Sequence, residues 1–231
     1  MKIAVRGGHC PNINGASALI NELTEDRKVK DAVIKYLKEL GHTVLDVTPP
    51  DSISSLSADL SYGVNKANNW GADLFVSIHF NNAYSTYNGA LGTEVCVYSE
   101  NDVAGRVVNG LASLGFKNRG QKVRTGLYEL KNTKMKSMII EVCFVEATED
   151  VALYQRLGAD TIEKNIAESI TNKKIVEVVT PSTTPSNQGE TYYRVISGSF
   201  KDRTIAEKRK TELEAKGFTG VFLEAFKSNK F

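Results

Sequence analysis

The chain predicts an α/β fold: a layered domain with a largely parallel, twisted sheet flanked by helices, plus a small β-α-β C-terminal unit. Three observations carry that expectation. Short aliphatic, β-branched runs alternate with stretches whose apolar residues recur every three or four positions, as strands joined through crossover helices do. Three of the strand-like runs, at residues 2–9, 74–82 and 137–144, end in or enclose a titratable side chain, respectively His9, His79 and Glu141. A segment rich in Ser, Thr and Pro then separates this body from residues 190–231.

In order along the chain, residues 2–6 predict a strand, followed by Gly7-Gly8-His9 and a loop containing glycine and asparagine. A helix is expected over residues 23–40. Val29, Ala32, Val33, Tyr36, Leu37 and Leu40 form its buried stripe and Gly41 closes it. Thr24 is the expected N-cap, with Glu25 and Asp26 at the positive end of the helix dipole. A strand at 43–47, a Pro-Pro break and a helix ending near Trp70 lead into the strand at 73–79. Thr93-Glu94-Val95-Cys96-Val97-Tyr98 alternates as a strand does, and a helix over 103–114 places Val107, Val108, Leu111 and Leu114 inward. Strands at 127–130 and 138–144 and helical pattern over 150–171 complete a domain spanning residues 1–174. Residues 175–189, centred on Thr180-Pro181-Ser182-Thr183-Thr184-Pro185, have almost nothing to bury and read as a linker. Residues 190–231 then offer a strand (192–200), a helix (202–216) and a strand (218–226). Two strands and one helix lie near the lower limit for independent folding, so this unit is expected to need a second copy or a surface.

Composition narrows the function classes. With 231 residues, 41% hydrophobic and 24% charged, the chain is ordinary for a globular protein. No apolar run approaches the ~20 residues of a membrane span. Lys2 and Arg6 bracket too few apolar residues for an export leader, so synthesis in the cytoplasm is expected, with release by another route. Cys10, Cys96 and Cys143 are odd in number and widely spaced, which indicates neither a disulfide framework nor a zinc ribbon. The net charge of +2 is unevenly spread: residues 190–231 hold nine Lys/Arg against six Asp/Glu, and residues 1–189 hold 20 against 21. No nucleic-acid partner is expected.

The three histidines differ in position. His42 sits at a helix-to-strand corner as a solvated turn residue. His9 and His79 each end an apolar strand, and the carboxyl ends of strands are where an open α/β sheet collects ligands. Catalytic zinc takes three protein ligands, commonly two His and a carboxylate, and keeps a position open for water. The third ligand would come from Glu22 or Glu25. Glu25 is explained by the helix dipole, which favours Glu22. Glu141, in the run Ile-Ile-Glu-Val-Cys-Phe, is costly to bury ionised, and a raised pKa beside a metal-bound water suits a general base. A Cys–His arrangement through Cys10 or Cys143 is an alternative, although nothing in the sequence activates either thiol. Asn81 and Asn82 could orient a ligand or simply make a turn.

Gly7-Gly8-His9, Asn21-Glu22 and Gly41-His42-Thr43-Val44 resemble the zinc-dependent N-acetylmuramoyl-L-alanine amidases of bacterial cell walls. So do Ala72-Asp73-Leu74-Phe75-Val76-Ser77-Ile78-His79-Phe80-Asn81 and Ile139-Ile140-Glu141-Val142-Cys143-Phe144-Val145, in the family's order over residues 2–170. Asn118-Arg119-Gly120 and Leu127-Tyr128-Glu129-Leu130 resemble the family's segment before the catalytic strand. The resemblance implies zinc on His9, Glu22 and His79, Glu141 as the catalytic glutamate, and peptidoglycan as substrate, cut between N-acetylmuramic acid and L-alanine. Gly-Gly-His-Cys stands where the family often has Pro-Gly-His-Gly. Tyr192-Tyr193-Arg194-Val195-Ile196-Ser197-Gly198-Ser199-Phe200 resembles half of the sporulation-related wall-binding repeat. Two chains each supplying one half would make a homodimer. The competing expectations are a wall-binding or assembly protein without activity, and a zinc peptidase acting on the stem peptide.

Overall fold

The computed structural model describes residues 1–175, 202–218, 221 and 223. Contacts divide the chain into two units, residues 1–178 and 179–231. In the first, β1 (Lys2–Gly7), β2 (Thr43–Asp46), β3 (Leu74–Asn81), β4 (Thr93–Val97), β5 (Asn118–Val123) and β6 (Lys136–Phe144) form one sheet in the order β2-β1-β3-β6-β4-β5. Only the β4–β6 pairing is antiparallel among these neighbours. The first four strands in that order therefore run the same way and bring His9, His79 and Glu141 to one edge.

Six helices cover this sheet: α1 (Glu22–Glu39), α2 (Leu56–Trp70), α3 (Asp102–Ser113), α4 (Tyr128–Asn132), α5 (Thr148–Leu157) and α6 (Ala159–Thr171). Alternation along each strand sends its side chains to opposite faces. Ile3, Val5, Val76, Ile78 and Ile140 pack with α1, α3 and α6, while Ala4, Phe75 and Val47 pack against Ala67 of α2. Arg6 and Ser77 fall on the α2 side by the same alternation. On α1 the buried apolar residues include Val29, Val33, Ile34, Tyr36 and Leu37, close to the expected stripe.

Four local expectations are corrected. Asn21, not Thr24, caps α1: its side chain accepts from the Thr24 backbone N–H at 3.0 Å, so Glu22 is the first helical residue. Residues 127–130 form no strand. Leu127 and Tyr128 stay exposed while Glu129 and Leu130 turn inward, which the short helix α4 allows. The strand between α3 and α4 is instead β5, whose sequence Asn-Arg-Gly-Gln-Lys-Val carries no apolar alternation. The helical stretch after Glu141 is broken at Gly158, whose φ of +72° suits a residue without Cβ.

In the second unit α7 (Arg203–Ala215) matches the expected helix, with Asp202 capping it by accepting from the Thr204 N–H at 2.7 Å. The expected strand at 192–200 and most of that at 218–226 lie outside the described residues. No described helix is long and apolar enough to cross a membrane.

Candidate active site

Each element delivers its side chain for a local reason. Strand β1 runs out into Gly7-Gly8-His9. A Cβ at Gly8 would stand 2.4 Å from the His79 ring, so only glycine lets β1 pass beside that imidazole. His9 adopts φ +52°, a left-handed conformation uncommon for a residue with a side chain, and Arg27 Nη2 donates to its carbonyl at 2.5 Å. The following loop is pinned by the Leu19 N–H donating to the Val145 carbonyl at 3.1 Å. It returns through Gly15, where a Cβ would lie 2.3 Å from Glu22 Oε2 and 2.5 Å from His9 Cδ2.

The carboxylate of Glu22 sits at the meeting point. Its Oε1 accepts from the Phe80 N–H at 3.0 Å and lies 3.2 Å from His9 Nε2 and 3.1 Å from His79 Nδ1. Its Oε2 accepts from the Ala16 N–H at 2.6 Å. The imidazoles stand edge to face with centroids 5.0 Å apart. One donor atom from each of His9, Glu22 and His79 falls within 4.8 Å of the others, a group able to hold a metal ion.

The electrostatics suit a cation. Burial works against the charge of Glu22, but hydrogen bonds and charge from His79 and His9 outweigh it and hold the carboxyl far below its usual range. Burial likewise pulls His79 down; Glu22 and the fields of Glu141 and Glu129 lift it to about 9. A metal ion bound here would have to displace any proton on the nitrogens that ligate it.

Glu141 is the direct register partner of His79 across the β3–β6 ladder, and of Glu94 across β6–β4. The ladder shifts just past the His79 rung, between His79 and Asn81. Glu141 Oε2 is sealed from solvent and has no hydrogen-bond partner among the described residues. Desolvation raises its pKa to about 7; Glu22, Glu94 and Glu129 add to the rise, and His79 opposes it. Glu94 itself is fully engaged, accepting from Asn81 Nδ2 at 3.1 Å and Arg119 Nε at 2.7 Å.

The other expected residues fall into place around this rung or away from it. Glu25 accepts from Tyr154 Oη at 2.9 Å and pairs with Lys28, away from the imidazoles. Asn82 makes the turn, its backbone N–H donating to Asn81 Oδ1 and its side chain to the Tyr84 carbonyl. All three cysteines are free and buried. Cys10 Sγ donates to the Ile53 carbonyl at 3.4 Å, and burial pushes the thiols of Cys96 and Cys143 up, against nucleophilic use. His42 is half-buried rather than a solvated turn residue: its Nδ1 lies 3.3 Å from the N-terminal amine.

Sequence reasoning missed a buried set behind His79. His79 Nε2 lies 3.1 Å from Ser77 Oγ and 3.9 Å from Glu129 Oε2, and Glu129 is in turn paired with Arg6. The signal for it in the sequence is Arg6, a lone arginine in an apolar strand.

Residues 3–172 match the model of the N-acetylmuramoyl-L-alanine amidase family. The chain belongs to that family. It is 48% identical over 186 residues to an uncharacterised protein of Clostridium perfringens, covering 78% of this chain and 55% of that one. It is 26% identical over 232 residues to the N-acetylmuramoyl-L-alanine amidase CwlM of Bacillus licheniformis, covering 96% and 85%. The chain thus spans about half the length of the clostridial relatives it matches. Among solved structures it is similar to the catalytic domain of the CD27L endolysin targeting Clostridia difficile. That match has a TM-score of 0.69 at 28% identity and covers 76% of this chain and 99% of that one.

Proposed function

We propose that this amidase-family chain is a zinc-dependent hydrolase of peptidoglycan, acting on the amide bond between N-acetylmuramic acid and L-alanine. The observation that carries this is the convergence of His9, Glu22 and His79 beside Glu141 on one sheet edge. Two imidazole nitrogens and one carboxylate oxygen are a donor set of catalytic zinc. The separations of 3.2 and 3.1 Å from Glu22 Oε1 to the two nitrogens approach the roughly 3.3–3.5 Å between ligands of a tetrahedral ion with bonds near 2.0–2.1 Å.

Bound there, zinc would polarise the scissile carbonyl and make water a nucleophile near neutral pH. The chain's own part is positioning and proton transfer. Glu22 stays ionised because backbone N–H groups and both imidazoles hold it. Glu141, poised near 7, takes a proton from the attacking water and returns it to the leaving amine. Its like-charged neighbours favour the protonated form, which makes the return step easier.

The test is metal content of the purified protein together with mass spectrometry of its products on purified peptidoglycan. An amidase leaves intact glycan strands and free peptides beginning with L-alanine. A stem-peptide peptidase leaves other termini, and a wall-binding protein releases nothing.

For residues 190–231 we propose a half-length wall-binding repeat completed by a second chain. Ile205, Phe218 and Leu223 are exposed apolar side chains that a second chain could cover. Light scattering of the full chain against residues 1–175 tests it, with a dimer expected only for the former.

A further inference from the structure

The set behind His79 is built from some of the most costly groups to bury. Arg6 is 1% exposed, Glu129 and Asp59 2% each, and Ser77 is fully buried. Arg6 Nη2 binds Asp59 Oδ2 at 2.8 Å and its Nη1 binds Glu129 Oε1 at 2.9 Å. A strand arginine with one acid would already be neutral. A second acid on that arginine is more than pairing needs, and Glu129 is the one that also faces His79. Glu129 is the member turned to the candidate metal site. Its Oε1 accepts from Ser77 Oγ at 3.5 Å, its Oε2 stands 3.9 Å from His79 Nε2, and Ser77 Oγ lies 3.1 Å from that same nitrogen. The surrounding helices make room for it. Gly63 of α2 would bring a Cβ within 3.1 Å of Arg6 Cδ, and α4 exists as a helical turn that points Glu129 inward.

We propose that Glu129, held by Arg6 and acting with Ser77, is a positioning residue that fixes the proton of His79 on Nε2. Nδ1 is then left as the lone-pair nitrogen aimed at the Glu22 side of the cluster. A neutral imidazole has one N–H and one lone pair, and the partner of one nitrogen decides the role of the other. Ser77 Oγ, itself turned by donating to Glu129, presents an acceptor to Nε2–H. Metal-ligating histidines characteristically donate their far N–H to such a partner, and losing it lowers metal affinity about 10–100-fold. This inference rests on the metal site proposed above.

The experiment is zinc affinity by chelator competition for the full chain and its Glu129→Gln and Asp59→Asn variants, with their melting temperatures. Glu129→Gln keeps the shape and a hydrogen bond to Arg6 but loses the charge. Asp59→Asn alters an equally buried acid whose carboxylate pairs with Nη2 of the same arginine. Glu129→Gln is expected to weaken zinc binding roughly 10–100-fold, and Asp59→Asn to leave it near wild type. Equal losses in both, or none in Glu129→Gln, overturn the proposal while the metal site stands. No zinc uptake by the wild type overturns both. Should Glu129→Gln fail to fold, Ser77→Ala with histidine 15N spectra of the zinc-loaded wild type decides. The expected spectrum shows His79 as the Nε2–H tautomer; a proton on Nδ1 refutes the assignment.

Discussion

Glu22 and Glu141 stand within one site and are treated in opposite ways. Glu22 has four partners on two oxygens, two backbone N–H groups and two imidazoles, and is kept ionised far below the ordinary carboxylate range. Glu141 has a sealed oxygen with no partner among the described residues, and is pushed up to about 7. The same functional group thus has its pKa lowered in one place beside His79 and raised in the other. Environments that push two carboxyls apart suit the two roles proposed above, ligand for Glu22 and base for Glu141.

The sharpest break of that contrast is to remove each acid in turn. Glu22→Ala is expected to weaken zinc binding by more than about 100-fold, beyond the loss of an orienting partner, and to end turnover with it. Glu141→Gln should keep the metal and lower kcat by ~10²–10⁴, the usual share of a general base. Metal analysis beside kinetics separates the two, and a metal-loaded but active Glu141→Gln removes it from the chemistry.

Packing gives the next prediction. Gly15→Ala sets a methyl against Glu22 Oε2 and His9, so zinc affinity should fall roughly 10–100-fold, as when an orienting partner is lost. The pH profile sharpens the other side. A base must be ionised to act, so kcat/KM should rise with pH through about 7 and level above it. In Glu141→Gln whatever rate remains should lose that limb. The smallest effect is expected for Glu25→Ala, which forfeits the Tyr154 hydrogen bond, about 1 kcal/mol of stability, and leaves zinc affinity unchanged. If Glu25→Ala lost zinc and Glu22→Ala kept it, the ligand assignment would be reversed.

The sequence made β1, β3 and β6 legible because each is an apolar run ending at the same sheet edge, and its titratable residues had no other reason to be there. What it hid depends on partners far along the chain. β5 is polar because Arg119 and Gln121 reach to Glu94 and to the Asn101 N–H instead of a core. Glu129 sits in a segment that alternates like a strand, and only Arg6 and Ser77, on two other strands, make it a buried turn of helix. A helix capped by Thr24 would leave Glu22 ahead of it. Asn21 serves as well, and moving the start by a few residues points Glu22 at both histidines.

The most direct test of the central claim, that His9, Glu22 and His79 share one divalent ion with Glu141 beside it, is zinc stoichiometry measured with peptidoglycan hydrolysis before and after chelation. The account predicts one zinc per chain, hydrolysis lost on chelation and restored by zinc, and free L-alanyl peptides as product. Unchanged hydrolysis by a protein carrying no metal would contradict it.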